Sequence, residues 1–254
     1  MIRTGGLAVL LLLFGCLSAW GADGPETTRL TRIFLDGVNA YEAGEYEDAA
    51  GAFDQVAAAG IDNAKLFYNL GNAHLKAGSL GRAVLWYERA LRLAPGNPDL
   101  RFNHAYALSL VKDEREGKGA AIYQVLFFWR YRLGQRTVQW IAVGLNAGFF
   151  LLLSIRLLRG KRPLKGLGHL GLALTLLFAA TALYNHYELR HVRYGVILPE
   201  AVSVRSGLSE SATALFTLHA GTRVRVERER EGFFRIYFEE GKIGWVRADG
   251  VGII

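Results

Sequence analysis

Six histidines, at 74, 104, 169, 186, 191 and 219, and one cysteine, Cys16, are the side chains best suited to metal or nucleophilic chemistry. A metal centre needs three or four such ligands converging on one point. Only His186 and His191 stand close together, and a spacing of five puts them on different faces of a helix. Two interfacial histidines beside an apolar run are the plainer explanation. A lone cysteine excludes both a disulfide framework and a cysteine zinc site. No nucleophile motif, phosphate loop or carboxylate pair stands in a recognisable context, and the alternating charges from Arg228 to Glu231 suit a solvated hairpin edge. The expectation is a non-enzymatic chain without metal or cofactor. A cell-wall hydrolase would be the strongest enzymatic alternative, and residues 22–254 leave no room for its catalytic domain.

Binding surfaces must then carry the function, and composition says where they are held. The 254 residues are 51% hydrophobic with a net charge of +7 and a mean hydropathy of +0.16, too apolar for a soluble protein of this length. The basic excess is local. Ten Lys or Arg face the single acid Glu188 between Lys118 and Arg190, whereas residues 22–116 carry fourteen acids and ten bases, and residues 193–254 eight acids and nine bases. That distribution argues against nucleic acid as a partner and for contact with membrane lipid.

Arg3 followed by the apolar run from Gly5 to Ala19 has the layout of a secretory signal over 1–21, with Ala19-Trp20-Gly21 as a small-x-small cleavage site. Two alternatives remain: an uncleaved anchor, or a lipid on Cys16 within the lipobox-like Leu13-Phe14-Gly15-Cys16. Residues 138–157 and 166–187 are apolar runs long enough to cross hydrocarbon. The loop between them, 158–165, is basic, and Arg156, Arg159, Lys161, Arg162 and Lys165 place it on the cytoplasmic side. Both flanking regions then share the outer compartment, so a bacterial inner membrane with two spans and periplasmic modules is expected. Trp140, Tyr184 and Tyr187 suit interfacial belts. Residues 117–137, with Ile122, Val125, Leu126, Trp129 and Leu133 at helical spacing, form either an interfacial helix or an extension of the first span.

Residues 30–63 and 64–97 superimpose at an offset of 34, matching Gly37 with Gly71, Gly44 with Gly78, Ala49 with Ala83 and Phe53 with Tyr87. The second copy resembles the tetratricopeptide pattern of paired antiparallel helices. A third helix over 98–112 would cap the stack, completing a module over 22–116. Such modules bind extended peptides or helices in a groove. The resemblance places Lys65, Tyr68, Asn72, Leu75 and Lys76 there, with Phe34, Val38 and Tyr41 before them and Phe102 and Tyr106 after. Asn72 is the sharpest candidate, since its amide can hold a partner's backbone by two hydrogen bonds; a solvated or intra-repeat amide is the alternative. Tyr68 and Tyr106 are alternatively packing residues.

From Arg193 to the end the period becomes two, with strands at 201–205, 222–226, 234–238 and 243–246 separated by Gly-containing turns. Val204-Arg205-Ser206-Gly207, Leu218-His219-Ala220-Gly221-Thr222 and Gly241-Lys242-Ile243-Gly244-Trp245-Val246 resemble a bacterial SH3-like barrel. Phe234 and Trp245 either line a ligand groove or fill the core. The whole is expected to be a multidomain membrane protein of helical repeats, two transmembrane helices and a small all-β barrel. This order of parts, with Asn69-Leu70-Gly71-Asn72-Ala73 and the run from Tyr87 to Pro95, resembles the BatE family of bacterial aerotolerance proteins. The resemblance implies a scaffold for protein–protein interaction, with von Willebrand factor A domain proteins and a MoxR-type AAA+ ATPase as partners. The competing expectation is a wall-sensing anchor whose barrel binds peptidoglycan.

Overall fold

The computed structural model describes residues 25–113, 129, 132–159, 165–239 and 241–254. The signal-like segment 1–21, most of the linker 117–137 and the centre of the basic loop lie outside the described residues.

Five helices open the chain: α1 (Pro25–Ala43), α2 (Tyr46–Ala58), α3 (Ala64–Lys76), α4 (Leu80–Leu93) and α5 (Pro98–Ser109). The offset of 34 recurs in their joints. Gly44 and Gly78 take φ of 85° and 78°, which only glycine adopts freely, and each ends the first helix of a pair. Asn63 and Asn97 cap α3 and α5, accepting from Lys65 N at 2.8 Å and Leu100 N at 3.1 Å; each cap contributes about 1 kcal/mol. Gly37 lies under the Phe53 ring and Gly71 under the Tyr87 ring, so the pairs cross closely and the aromatic fills the space left. Phe53, Leu70, Ala83, Val84, Tyr87 and Ala90 form the sealed centre of this module. Helix α5 stops at Ser109, short of the expected residue 112. There the N–H groups of Leu110 and Val111 bond back three residues, to Ala107 O and Leu108 O, tightening the last turn.

Helices α6 (Gln135–Arg159) and α7 (Lys165–His191) follow. They contain the stretches Thr137–Ile155 and Gly168–Glu188, of mean hydropathy 1.8 and 1.3, each long and apolar enough to cross a membrane. Only 6% of either stretch is buried, unlike the core helices of a soluble domain. Three of their hydroxyls are satisfied within the helix, Ser154 donating to Phe150 O at 2.9 Å, Thr175 to Gly171 O at 2.8 Å and Thr181 to Leu177 O at 2.8 Å. The peptide groups around Arg132 and Gly134 lie against Gly96 and Pro95, so the chain enters α6 from the base of the second repeat.

The remainder is an antiparallel seven-stranded sheet: β1 (Arg193–Ile197), β2 (Ala201–Arg205), β3 (Ala214–His219), β4 (Arg223–Arg230), β5 (Phe233–Glu239), β6 (Lys242–Arg247) and β7 (Val251–Ile253), ordered β3-β2-β6-β5-β4-β1-β7. The β4–β5 hairpin turns on Glu231 and Gly232, both with positive φ. Val204, Leu218, Val224, Phe234, Ile236, Phe238 and Val246 fill its core.

The barrel packs on the repeats although both apolar helices intervene in sequence. Neighbouring residues of β1 face opposite ways: Ile197 enters the barrel core, and Val196 joins the repeat core beside α4. A side chain on Gly81 of α4 would strike Ile197 O and Leu198 O at 2.5 Å, so glycine is what permits the contact. Arg89 of α4 donates to Ile253 O at 2.7 Å through Nη2. Arg223 lies 3.7 Å from Glu88 and stacks 4.2 Å over the Tyr194 ring. Strand β1 loses its alternation because it is covered on both faces, which is why the period-two signal misses it.

Candidate functional site

The first surface is the repeat groove. Val38 and Tyr41 of α1 and Asn72 of α3 line a small pocket of about 90 Å³ with Asn69. Tyr68 belongs to the same neighbourhood: its ring stands 6.3 Å from that of Tyr87, and its hydroxyl accepts from Asn103 Nδ2 at 3.0 Å. Phe34 is packed on Phe53 with ring centres 5.4 Å apart, and so supports the groove from below. Leu75 packs against the repeat core. Lys65 and Lys76 are exposed near opposite ends of α3. Phe102 and Tyr106 are 74% and 55% exposed, and with Leu110 they form an uncovered stripe along α5.

Asn72 is used inside the module. Its Oδ1 accepts from the Tyr87 hydroxyl at 2.6 Å and from Asn103 Nδ2 at 2.9 Å. The two-bond grip on a partner's backbone expected of this amide needs both ends, and only the NH2 end is open. Burial, then the nearby Tyr68 and Tyr41, push the Tyr87 phenol well above its ordinary value, so it remains a donor to Asn72. Asn103 was missed by sequence reasoning, although it stands 34 residues after Asn69 and the repeat register leads to it.

The second surface is a cleft of about 590 Å³ at the seam of the two modules. Phe233 and Trp245 form its aromatic wall, Ala201, Ser203 and Arg205 supply β2, and Arg82 reaches in from α4. Trp245 lies on the outer face of β6, half-buried, between the inward Gly244 and Val246. Phe234 is 5% exposed in the barrel core, so it does not line the cleft; its neighbour Phe233 does. The charged period of β5 carries this phase, since Arg235 must face out and residue 233 shares its side. Arg247 is fixed on the rim, 2.7 Å from Glu210 Oε1 and 2.8 Å from Asp249 Oδ2. Arg82 makes no hydrogen bond or ion pair among the described residues, and the Trp245 indole makes none either.

Asp113, just past α5, ties the modules together. Its Oδ2 accepts from His219 N at 2.6 Å and Thr222 Oγ1 at 2.5 Å, and its Oδ1 lies 2.8 Å from His219 Nδ1. Burial alone would raise this carboxyl. The hydrogen bonds from Thr222 and His219, with the imidazole's charge, outweigh it and hold the group below the usual carboxylate range. The trio is no hydrolytic triad: Thr222 is 2% exposed and its hydroxyl bonds the carboxylate, leaving no activated nucleophile facing solvent. Among the described residues no three His, Cys, Asp or Glu side chains converge as a metal site.

Residues 35–98 match the tetratricopeptide repeat family and residues 200–252 the bacterial SH3 domain family. No curated protein matches the chain. The architecture is therefore a helical repeat region, two apolar helices and an SH3-like antiparallel barrel, and both matched families are typically non-catalytic interaction modules.

Proposed function

We propose that the chain is a non-enzymatic scaffold anchored in the bacterial inner membrane by α6 and α7, with both modules periplasmic, gathering proteins into a Bat-type complex linked to envelope stress or aerotolerance. By the resemblance of its parts, the partners are von Willebrand factor A domain proteins and a MoxR-type AAA+ ATPase system. The observation that carries the reading is the docking of repeats and barrel across the two apolar helices. Modules so joined must lie on one side of any bilayer that both helices cross. Reporters active only in the periplasm should therefore work when fused after Glu116 or Ile254 and fail at Gly160. Activity at Gly160 would overturn the topology.

The α5 stripe, with Tyr41, Tyr68, Lys65 and Lys76 beside it, is the groove that holds the partner. Because Phe102 and Tyr106 are exposed, Phe102→Ser with Tyr106→Ser should leave the melting curve unchanged. Crosslinking in native membranes should then recover partners at no more than about a tenth of the wild-type yield, as expected for losing two interface aromatics. Wild-type yield from a folded double variant would remove the groove from consideration. The aromatic cleft favours a second reading, an anchor whose barrel holds peptidoglycan. Purified sacculi separate the two: a pure protein scaffold stays in the supernatant, and sedimentation with the sacculi favours wall binding.

A further inference from the structure

We infer that the chain pairs with a second copy of itself inside the bilayer, through one face of α6 centred on Asn146. The inference rests on the reading that α6 and α7 cross the membrane, and adds how many copies stand together. Asn146 lies nine residues from either end of the apolar stretch Thr137–Ile155. At about 1.5 Å per residue it is about 13 Å from both ends, and its short side chain cannot reach the headgroups. It is exposed on the helix surface, so in a membrane it faces lipid.

No group of its own chain takes this amide. Asn146 makes no hydrogen bond among the described residues, whereas Ser154, Thr175 and Thr181 of the same two helices each donate to a carbonyl four residues back. A hydroxyl can share a carbonyl in this way. A carboxamide also carries an oxygen that needs a donor, and the N–H groups around it in mid-helix are engaged by the helix ladder. Helix α7 supplies none either, because it packs on another side of α6, where a side chain on Gly171 would come 3.5 Å from Phe149. Hydrocarbon offers no hydrogen bond, so the partner must come from another chain.

The surroundings of Asn146 fit a like helix. Gln139, Val143, Asn146, Phe150 and Leu153 follow at spacings of four, three, four and three, the seam of two helices packed at a shallow angle. Val143 and Phe150 are 57% and 59% exposed. Phe149 is about 100° round the helix from Phe150, so the contact with α7 leaves the seam open. Two copies inserted the same way round bring Asn146 to the same depth in both. An amide is donor and acceptor at once, and across a two-fold axis each NH2 donates to the other copy's Oδ1. A different protein would need a polar group of its own at that depth, whereas a second copy always has one. Gly144 and Gly148 also meet open space, but a glycine holds no side-chain group that needs a partner. Paired in this way, two heads share the membrane plane and offer their α5 stripes together.

The test uses the full chain carrying Cys16→Ser, purified and reconstituted in liposomes at a low protein-to-lipid ratio, with single cysteines introduced on α6 and a short bismaleimide added. Val143→Cys and Phe150→Cys should crosslink into dimers, and Leu145→Cys and Phe149→Cys should not. Asn146→Leu, added to Val143→Cys, should cut the dimer yield about tenfold at an unchanged melting temperature, the size expected of an interhelical amide contact. Asn146→Gln keeps both donor and acceptor and should retain the dimer. A chain that stays monomeric in liposomes overturns the proposal, since the amide then serves a different protein. Strongest crosslinking at Gly144→Cys and Gly148→Cys overturns it too, as does an undiminished yield with Asn146→Leu. Alkaline carbonate separates this failure from that of the spanning reading: a chain released from native membranes overturns both, and a chain that stays in the membrane without crosslinking overturns the pairing alone.

Discussion

Gly71→Arg should abolish the cooperative helical melt of the repeats while the chain stays in the membrane. The ring of Tyr87 covers Gly71 so closely that even a Cβ would overlap its carbons, well inside van der Waals contact. A guanidinium there must either push Tyr87 off Asn72 or break the α3–α4 crossing, and both leave a charge among apolar side chains. Overpacking and an unpaired buried charge together cost about 3–5 kcal/mol. Gly71→Ala meets the same ring without the charge and should cost about 1–3 kcal/mol. The measurement is a circular-dichroism melt of the whole chain in detergent. The barrel belongs in that experiment because Val196 and Leu198 close the repeat core, and a fragment ending before α6 would expose Val84 and Leu85. A wild-type curve for Gly71→Arg would refute the crossing.

Asp113→Ala should loosen the barrel from the repeats. It leaves His219 N and the Thr222 hydroxyl without their charged acceptor, at about 3 kcal/mol, or roughly a hundredfold in the docking equilibrium. Nitroxide labels at exposed positions 101 and 228 should show a narrow distance distribution for the native chain and a broad one for the variant. The same change should follow acidification of the native chain. The folded carboxyl is held below its unfolded value, so its contribution is complete at neutral pH and is lost as pH falls below about 4 and through the folded value. The titratable and charged neighbours are His219 at the carboxylate and, farther out, Lys112 with Glu200 at 3.9 Å. A narrow distribution in Asp113→Ala at neutral pH would show that the seam is held without this carboxylate.

The repeats were legible because their constraints recur: Gly37 with Gly71, Gly44 with Gly78, and Phe53 with Tyr87 each appear twice, and a pattern seen twice is hard to mistake. The barrel strands β2, β4, β5 and β6 were legible because alternation needs a wet side; β3 has one too but was missed, since the adjacent Leu215 and Phe216 break its alternation. Strands β1 and β7 were missed because they are covered by α4 as well as by the sheet. The seam itself left no local trace. Gly81, Arg82, Asp113 and His219 are unremarkable in their own neighbourhoods, and their roles arise only from residues more than a hundred positions away. Asn72 was found by register, but its engagement by Tyr87 and Asn103 depends on how α3, α4 and α5 stack. The phase of Trp245 and Phe234 was within reach, since the arginines of their strands mark which side faces out.

One short joint governs how such a head would move. A single residue, Val192, separates His191 at the end of α7 from Arg193 at the start of β1, and its N–H still bonds to Glu188 O at 2.8 Å. There is no swivel. With α7 in a bilayer, a rotation or tilt of that helix becomes a torque on β1, and Val196 passes it to the repeats. At about 1.5 Å per residue, the 27 residues of α7 form a lever of about 40 Å, with the lipid gripping one arm. With both helices in a bilayer, the head would stand at a set height above the headgroups and sweep an area rather than a volume. Partners confined to the same plane would find it by lateral diffusion, whereas a freely diffusing partner would have to arrive at that height by chance.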